Sequence, residues 1–105
     1  MINNPSNTSA NKFDECVNDE KILNKNVPSD ILGINKTRAY ACFVNNSSGE
    51  ITLILGSSNT GAINKGIILK PGGGSYEINA NNLYQGKVSA ISASNCKLSY
   101  VECNY

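Results

Sequence analysis

The side chains able to do chemistry are few and are not grouped for it. The sequence has no histidine, so the usual proton carrier at neutral pH is missing. Its carboxylates are Asp14, Glu15, Asp19, Glu20, Asp30, Glu50, Glu77 and Glu102. Five of these fall in the first 30 residues, as expected of a solvated lead. Glu50 with Glu77, or Glu77 with Glu102, are placed to meet across strands, where glutamates commonly serve to discourage edge pairing. The cysteines are Cys16, Cys42, Cys96 and Cys103. A thiol nucleophile needs a base or a positive neighbour, and Cys42 inside "AYACFV" reads as a packed residue. Without histidine or a C-x-x-C pair, zinc ligation is not expected. The residues thus point to no catalytic, cofactor-binding or metal site, and no cofactor.

One stretch invites a sharper reading. "GIILKPGGGSYEI" (66–78) sets three glycines beside a lysine, a composition able to cradle phosphate. The P-loop pattern G-x-x-x-x-G-K-[ST] is not met: Gly61 and Gly66 have the first spacing, but Ile67 stands where lysine is needed. Nor does a helix former follow the run. Pro71 presets φ for a turn and glycine supplies positive φ without steric cost. The expectation is therefore a tight turn folding Ile67–Lys70 back on Ser75–Ile78, with Lys70 solvated at a strand end.

The bulk properties exclude several function classes. At 105 residues one domain is the default, and a chain this short often leans on disulfides, metals or partner subunits. Net charge is +1 and Arg38 is the one arginine, so no nucleic-acid footprint is expected. No stretch has the length of a membrane-spanning helix. "MINNPSNTSANKF" lacks the apolar core of a secretory signal, which predicts a protein made and kept in a cytoplasm. In that setting reduced, partly buried thiols are expected; in a secreted chain four cysteines would instead make a disulfide framework with three pairings.

The chain divides by pattern near residue 26. Residues 1–26 read as an N-terminal arm. Within it Phe13, Cys16, Val17 and Leu23 have near-helical spacing, with Asn11 as cap, Asp14 and Glu15 near the positive end, and Lys21 and Lys25 near the other. This predicts a short helix over about residues 12–23, too thin in its apolar stripe to hold unaided. Residues 27–105 read as short strands with close turn punctuation: an edge strand starting near Val27 and interrupted by Pro28, then "TRAYACFVN", "EITLIL", "IILK", "SYEI", and a closing hairpin of "KVSAISAS" with "KLSYVECNY". Ala39, Ala41 and Phe43 alternate with Tyr40, Cys42 and Val44, so the strand over 37–45 should be covered on both faces. The fold class that follows is all-β, a small antiparallel β-sandwich or barrel-like domain carrying the arm.

Taken in order, several segments resemble a known family. "RAYACFVNNSS" opens a strand on arginine and ends it on asparagine; "EITLILGSS", "GIILKPGGGSYEI", "YQGKVSAISAS" and "KLSYVE" follow at matching intervals, with "VPSDILGINKTR" upstream. Over about residues 27–103 the chain resembles small virion structural proteins of tailed bacteriophages. The resemblance implies a non-enzymatic β protein of the particle, foremost a capsid decoration (cement) protein that stabilises the head by binding capsid subunits. The alternative within that class is a head–tail connector, tail or fibre component. It further implies the major capsid protein or other virion proteins as partners, a homo-oligomer, no nucleic acid and no membrane, and location in the virion after assembly in the host cytoplasm. The arm and the cysteines depart from the family pattern. Phe13, Val17, Ile22 and Leu23 are the expected anchors of the arm, against its own domain or a neighbouring subunit. From a different class stands a secreted, disulfide-stapled binding module.

Overall fold

The computed structural model describes residues 13–105. Eight strands follow one another: β1 (Cys16–Leu23), β2 (Ser29–Leu32), β3 (Arg38–Asn45), β4 (Ile51–Leu55), β5 (Ile67–Leu69), β6 (Gly74–Ile78), β7 (Val88–Ser92) and β8 (Cys96–Asn104). They build two four-stranded antiparallel sheets, ordered β1-β8-β3-β6 and β2-β7-β4-β5. The all-β sandwich expected from the turn spacing is present, and its strand order is that of a jelly roll, two interleaved Greek keys.

The connections differ from expectation. β4 and β5 pair directly as a hairpin, whereas every other connection among the described strands crosses from one sheet to the other. The expected "PGGG" hairpin is therefore an arch: β5 pairs with β4 in the second sheet and β6 with β3 in the first. Likewise β7 and β8 do not form a hairpin, since β7 pairs with β2 and β4 while β8 pairs with β1 and β3. A link as short as residues 70–73 is long enough to span the ~10 Å between packed sheets, so a short turn does not say which sheet the chain enters next. Gly72 and Gly73 hold the positive φ values of 75° and 117° that the arch needs. Their N–H groups bond to the carbonyls of Ser47 and Asn45, at 3.3 and 2.7 Å.

The arm also differs. Residues 1–12 lie outside the described residues, and no helix occurs in the described part of the arm. Cys16–Leu23 is a strand, paired with β8 from Cys16↔Cys103 to Leu23↔Cys96. The physical reason is span. Eight extended residues reach about 23 Å, whereas the same residues in a helix reach about 10 Å. Only the extended form follows β8 from Cys103 to Cys96, and that pairing overrides a weak helical pattern. The boundary expected at residue 26 thus has a strand of the same sandwich on each side.

The core lies between the sheets. Ala41, Phe43, Ile78 and Leu98 from the first face Ile51, Leu53, Leu69, Val88 and Ala90 from the second, all at 0–1% exposure. Alternation along β3 is as expected, with Ala39, Ala41 and Phe43 inward. In β4 the opposite face is buried too: Thr52 and Ile54 lie under the 56–66 loop, whose Asn64 N–H bonds to the Thr52 hydroxyl at 3.0 Å.

Two fully buried polar residues bracket β3. At its start a bulge sets Arg38 opposite Asn104 and Tyr40 opposite Cys103. That extra residue turns Arg38 off the outer face shared by Tyr40 and Cys42, and onto the side of Glu102. Its guanidinium has no exposed surface. It donates from Nε to Glu102 at 2.8 Å, from Nη1 to the carbonyls of Tyr84 and Gly86 at 3.0 Å each, and from Nη2 to the Gly33 carbonyl at 2.9 Å. At the other end Asn45 donates to the carbonyls of Gly49 and Leu69, at 2.8 and 2.9 Å, and accepts from the Ser47 N–H at 2.9 Å. Each side chain fastens crossings that bulk apolar packing alone would leave loose.

Removing the guanidinium would leave Glu102 and three carbonyls short of a donor. Arg38→Met is expected to lower folding stability by about 3–5 kcal/mol, read as a fall in the urea midpoint. Arg38→Lys should recover only part of this, because an ammonium cannot serve four acceptors in fork geometry. An unchanged midpoint in Arg38→Met would contradict this assignment.

Candidate functional site

The features left over after the core is built lie along β1 and on the outer face of the first sheet. β1 is an edge strand. Six of its eight residues are exposed, Cys16 is half-buried, and Leu23 alone is fully buried. Cys16 forms a disulfide with Cys103, and their Cα atoms are 4.3 Å apart. That separation marks a non-hydrogen-bonded pair, so the backbone groups of Cys16, Asn18, Glu20 and Ile22 point away from β8 toward the open edge. Two of them are already engaged by β1 itself. The Glu20 N–H donates to the Asp19 carboxylate at 2.8 Å, and the Asn18 amide donates to the Cys16 carbonyl at 3.4 Å. Charge and self-capping together blunt an edge against further strands. Lys97 of β8 lies 3.5 Å from Glu20, an exposed pair of small energetic weight.

On the outer face Phe13 stacks over Tyr40, with ring centroids 5.9 Å apart and planes at 25°. The Tyr40 hydroxyl donates to Glu77 at 2.6 Å, and the Asn79 amide donates to the other Glu77 oxygen at 2.9 Å. A shallow crevice beside them is lined by Phe13, Ala39, Tyr40 and Asn79–Asn81. The hydrogen bond to Glu77, reinforced by burial, raises the Tyr40 phenol well above its ordinary range. The same bond, with that from Asn79, lowers the Glu77 carboxyl. Burial raises Tyr100 as well, with Asp19 and Glu102 adding to it. A second shallow groove on this face is lined by Asn18, Asp19, Cys42, Val44 and Ser99–Val101.

The sequence-derived candidates separate. Leu23 anchors β1 into its own core at 0% exposure, and Phe13 rests on Tyr40 while remaining 37% exposed. Val17 and Ile22 face solvent at 56% and 67%, on opposite faces of β1 by alternation. The three glutamates do not come together: Glu50 pairs with Lys70 at 2.8 Å, Glu77 with Tyr40, and Glu102 with Arg38. The expectation of four reduced thiols is corrected by the Cys16–Cys103 bond, with Cys42 and Cys96 free. Pairing depends on which strands become neighbours, and residue spacing alone left that open. Among the described residues no group of three or more metal-ligating side chains converges. Sequence reasoning missed the Arg38 site; a lone arginine opening an apolar strand was the available signal.

No protein-family model matches this sequence, and no curated protein matches it. A solved structure described as "Bacillus endospore appendages form a novel family of disulfide-linked pili" aligns over 97% of this chain and 98% of that one, at 15% identity and a TM-score of 0.44.

The Tyr40–Glu77 bond has a pH signature on both sides. Because Glu77 is lowered on folding, its contribution is present above the ordinary glutamate range and is lost as pH falls through its depressed value. Because Tyr40 is raised, its contribution is complete below the ordinary tyrosine range and is lost as pH rises through its elevated value. Glu77→Gln should therefore bring the Tyr40 ionisation to lower pH while Tyr100 stays late, in an NMR titration of the tyrosine rings. A Tyr40 curve that does not move in Glu77→Gln would refute the coupling.

Proposed function

We propose that this chain is a non-enzymatic structural subunit that acts by binding neighbouring subunits in a larger protein assembly. The particular assembly implied by the sequence resemblance is a phage particle, with the chain decorating the head and bound to the major capsid protein or another virion protein. The observation that carries the docking role is β1 itself: an eight-residue edge strand, covalently fastened at Cys16, that buries only Leu23 and carries Val17 and Ile22 outward. The non-enzymatic part is supported by how the polar groups are used. Arg38, Asn45, Glu77 and Glu102 are all engaged in bonds within the fold. Capsid domains are among those that use the jelly-roll order, an analogy of fold and not of function.

A second reading, a secreted binding module, is favoured by one observation, the Cys16–Cys103 bond, because such bonds persist in oxidising compartments. Its partner would be met outside the cell rather than on a particle.

Copy counting by mass spectrometry on purified particles tests the first reading. Hundreds of copies per particle fit a head protein, a few to tens fit the tail axis, and absence rejects the virion reading. Combining Val17→Ser with Ile22→Ser should lower occupancy at least roughly tenfold while the thermal transition stays within about 0.5 kcal/mol, as for ordinary exposed sites. Full occupancy in the double variant would reject β1 as the docking element.

A further inference from the structure

The β1–β8 pairing is built so that β1 can leave. One fully buried side chain, Leu23, holds one end and one disulfide holds the other. Between them are backbone bonds and exposed side chains, with a single exposed ion pair, Glu20–Lys97. The cross-link joins positions 87 residues apart, so it removes a large loop-closure entropy from the opened state. Once it is reduced, little side-chain packing opposes fraying of Cys16–Ile22 from β8. Fraying then bares the β8 edge from Lys97 to Cys103, and withdrawal of Leu23 extends it to Cys96 and empties the site that Leu23 fills.

What fits that vacated edge is already defined. The β1 sequence is complementary to it residue by residue, from Cys16↔Cys103 through Glu20 beside Lys97 to Leu23↔Cys96. The β1 of a second copy carries the same complement. Ordinary addition of a strand to the outer side of β1 is disfavoured, because Asp19 and Asn18 already occupy the Glu20 N–H and the Cys16 carbonyl. Replacing β1 keeps both caps intact. The connection to β2 supplies a hinge: Asn26 has a φ of 63°, and the turn is held by the Lys25 N–H on Asn95 and the Asn26 N–H on the Ser92 carbonyl, both at 2.8 Å.

We propose that β1 is an exchangeable strand, released when Cys16–Cys103 is reduced and able to refill the β8 edge of a second copy, where the same two cysteines close as an intermolecular bond. Reduction takes two electrons and two protons from two equivalents of a low-molecular-weight thiol, which leave joined as its disulfide. Closure gives two electrons and two protons to a low-molecular-weight disulfide, which leaves as thiols. Because every β1–β8 contact is reproduced, exchange is governed by concentration and hinge geometry, the usual terms of strand swapping. This deepens the assembly reading by naming a second copy as one partner of the β8 edge.

The test uses the intact chain in unlabelled and heavy-isotope forms, mixed equally at about 1 mM, the range of a tethered strand's effective concentration. The mixture is held in a buffer of reduced and oxidised glutathione, then acid-quenched and digested without reduction after lysine. Cys16 lies in the peptide 13–21 and Cys103 in the peptide 98–105, and neither peptide contains another cysteine. The expected result is hybrid light–heavy linked peptides rising to about a quarter of the total, because at this concentration about half of the links close between copies and half of those join light to heavy, with a dimer seen in non-reducing gels. A mixture kept without glutathione sets the baseline. Hybrids no higher than that baseline overturn the exchange. Copy counting on particles is read separately, so failure here leaves the broader assembly role standing or falling on its own measurement.

Discussion

The Arg38 guanidinium is the constraint on which most of the described fold depends. A jelly roll sends its chain back and forth between two sheets, and each crossing must close without stranding backbone groups. Arg38 answers this at one end of the sandwich by giving its donors to β8 and to two inter-sheet loops at once. A buried charge with one partner costs more than it returns. Here the charge has a carboxylate and three carbonyls, so its burial is offset and its geometry fixed. The bulge beside Ala39 is the backbone adjustment that makes this possible, since strict alternation would have left Arg38 facing outward. Asn45, seven residues along the same strand, performs the neutral version of the same task at the opposite end.

The molecule is unequal in how firmly its parts are held. β3 and β8 are central, paired on both sides, and fastened by buried polar groups. β1 belongs to the same sheet yet adds almost nothing to the core. Its attachment is concentrated at Cys16 and Leu23, one covalent and one apolar. Such a strand contributes its surface rather than its interior, which is why the functional reading centres on it. The caps that Asp19 and Asn18 place on the open edge fit that picture. They protect against indiscriminate pairing while leaving the outward side chains of Val17 and Ile22 available.

Much of the fold was legible because it is local. Alternation along "RAYACFV", the presence of a strand at "EITLIL", the edge strand beside Pro28 and the glycine-dependent turn after Lys70 all follow from side-chain period and backbone freedom. Less of the candidate site was legible. Phe13 lies beside Tyr40 and Leu23 enters the chain's own core, one of the two placements open to the arm's anchors, while Val17 and Ile22 face solvent and the arm's expected helix proved to be a strand over Cys16–Leu23. The helix pattern rested on four apolar positions. An eight-residue partner strand supplies more than such a pattern can, and nothing in the arm itself announces that β8 is waiting for it.

By itself the sequence determined that the chain is β-rich, turn-punctuated, close to neutral in net charge and without a histidine-based site, because composition and short-range period act within a few residues. Tertiary structure alone decided which strands are neighbours. It made two apparent hairpins into inter-sheet arches, joined Cys16 to Cys103, and turned a lone arginine into a buried tie between loops. Those outcomes depend on contacts between residues far apart in the chain. A four-residue turn, a cysteine count or an isolated Arg38 carries no information about what will lie beside it until the two sheets have closed.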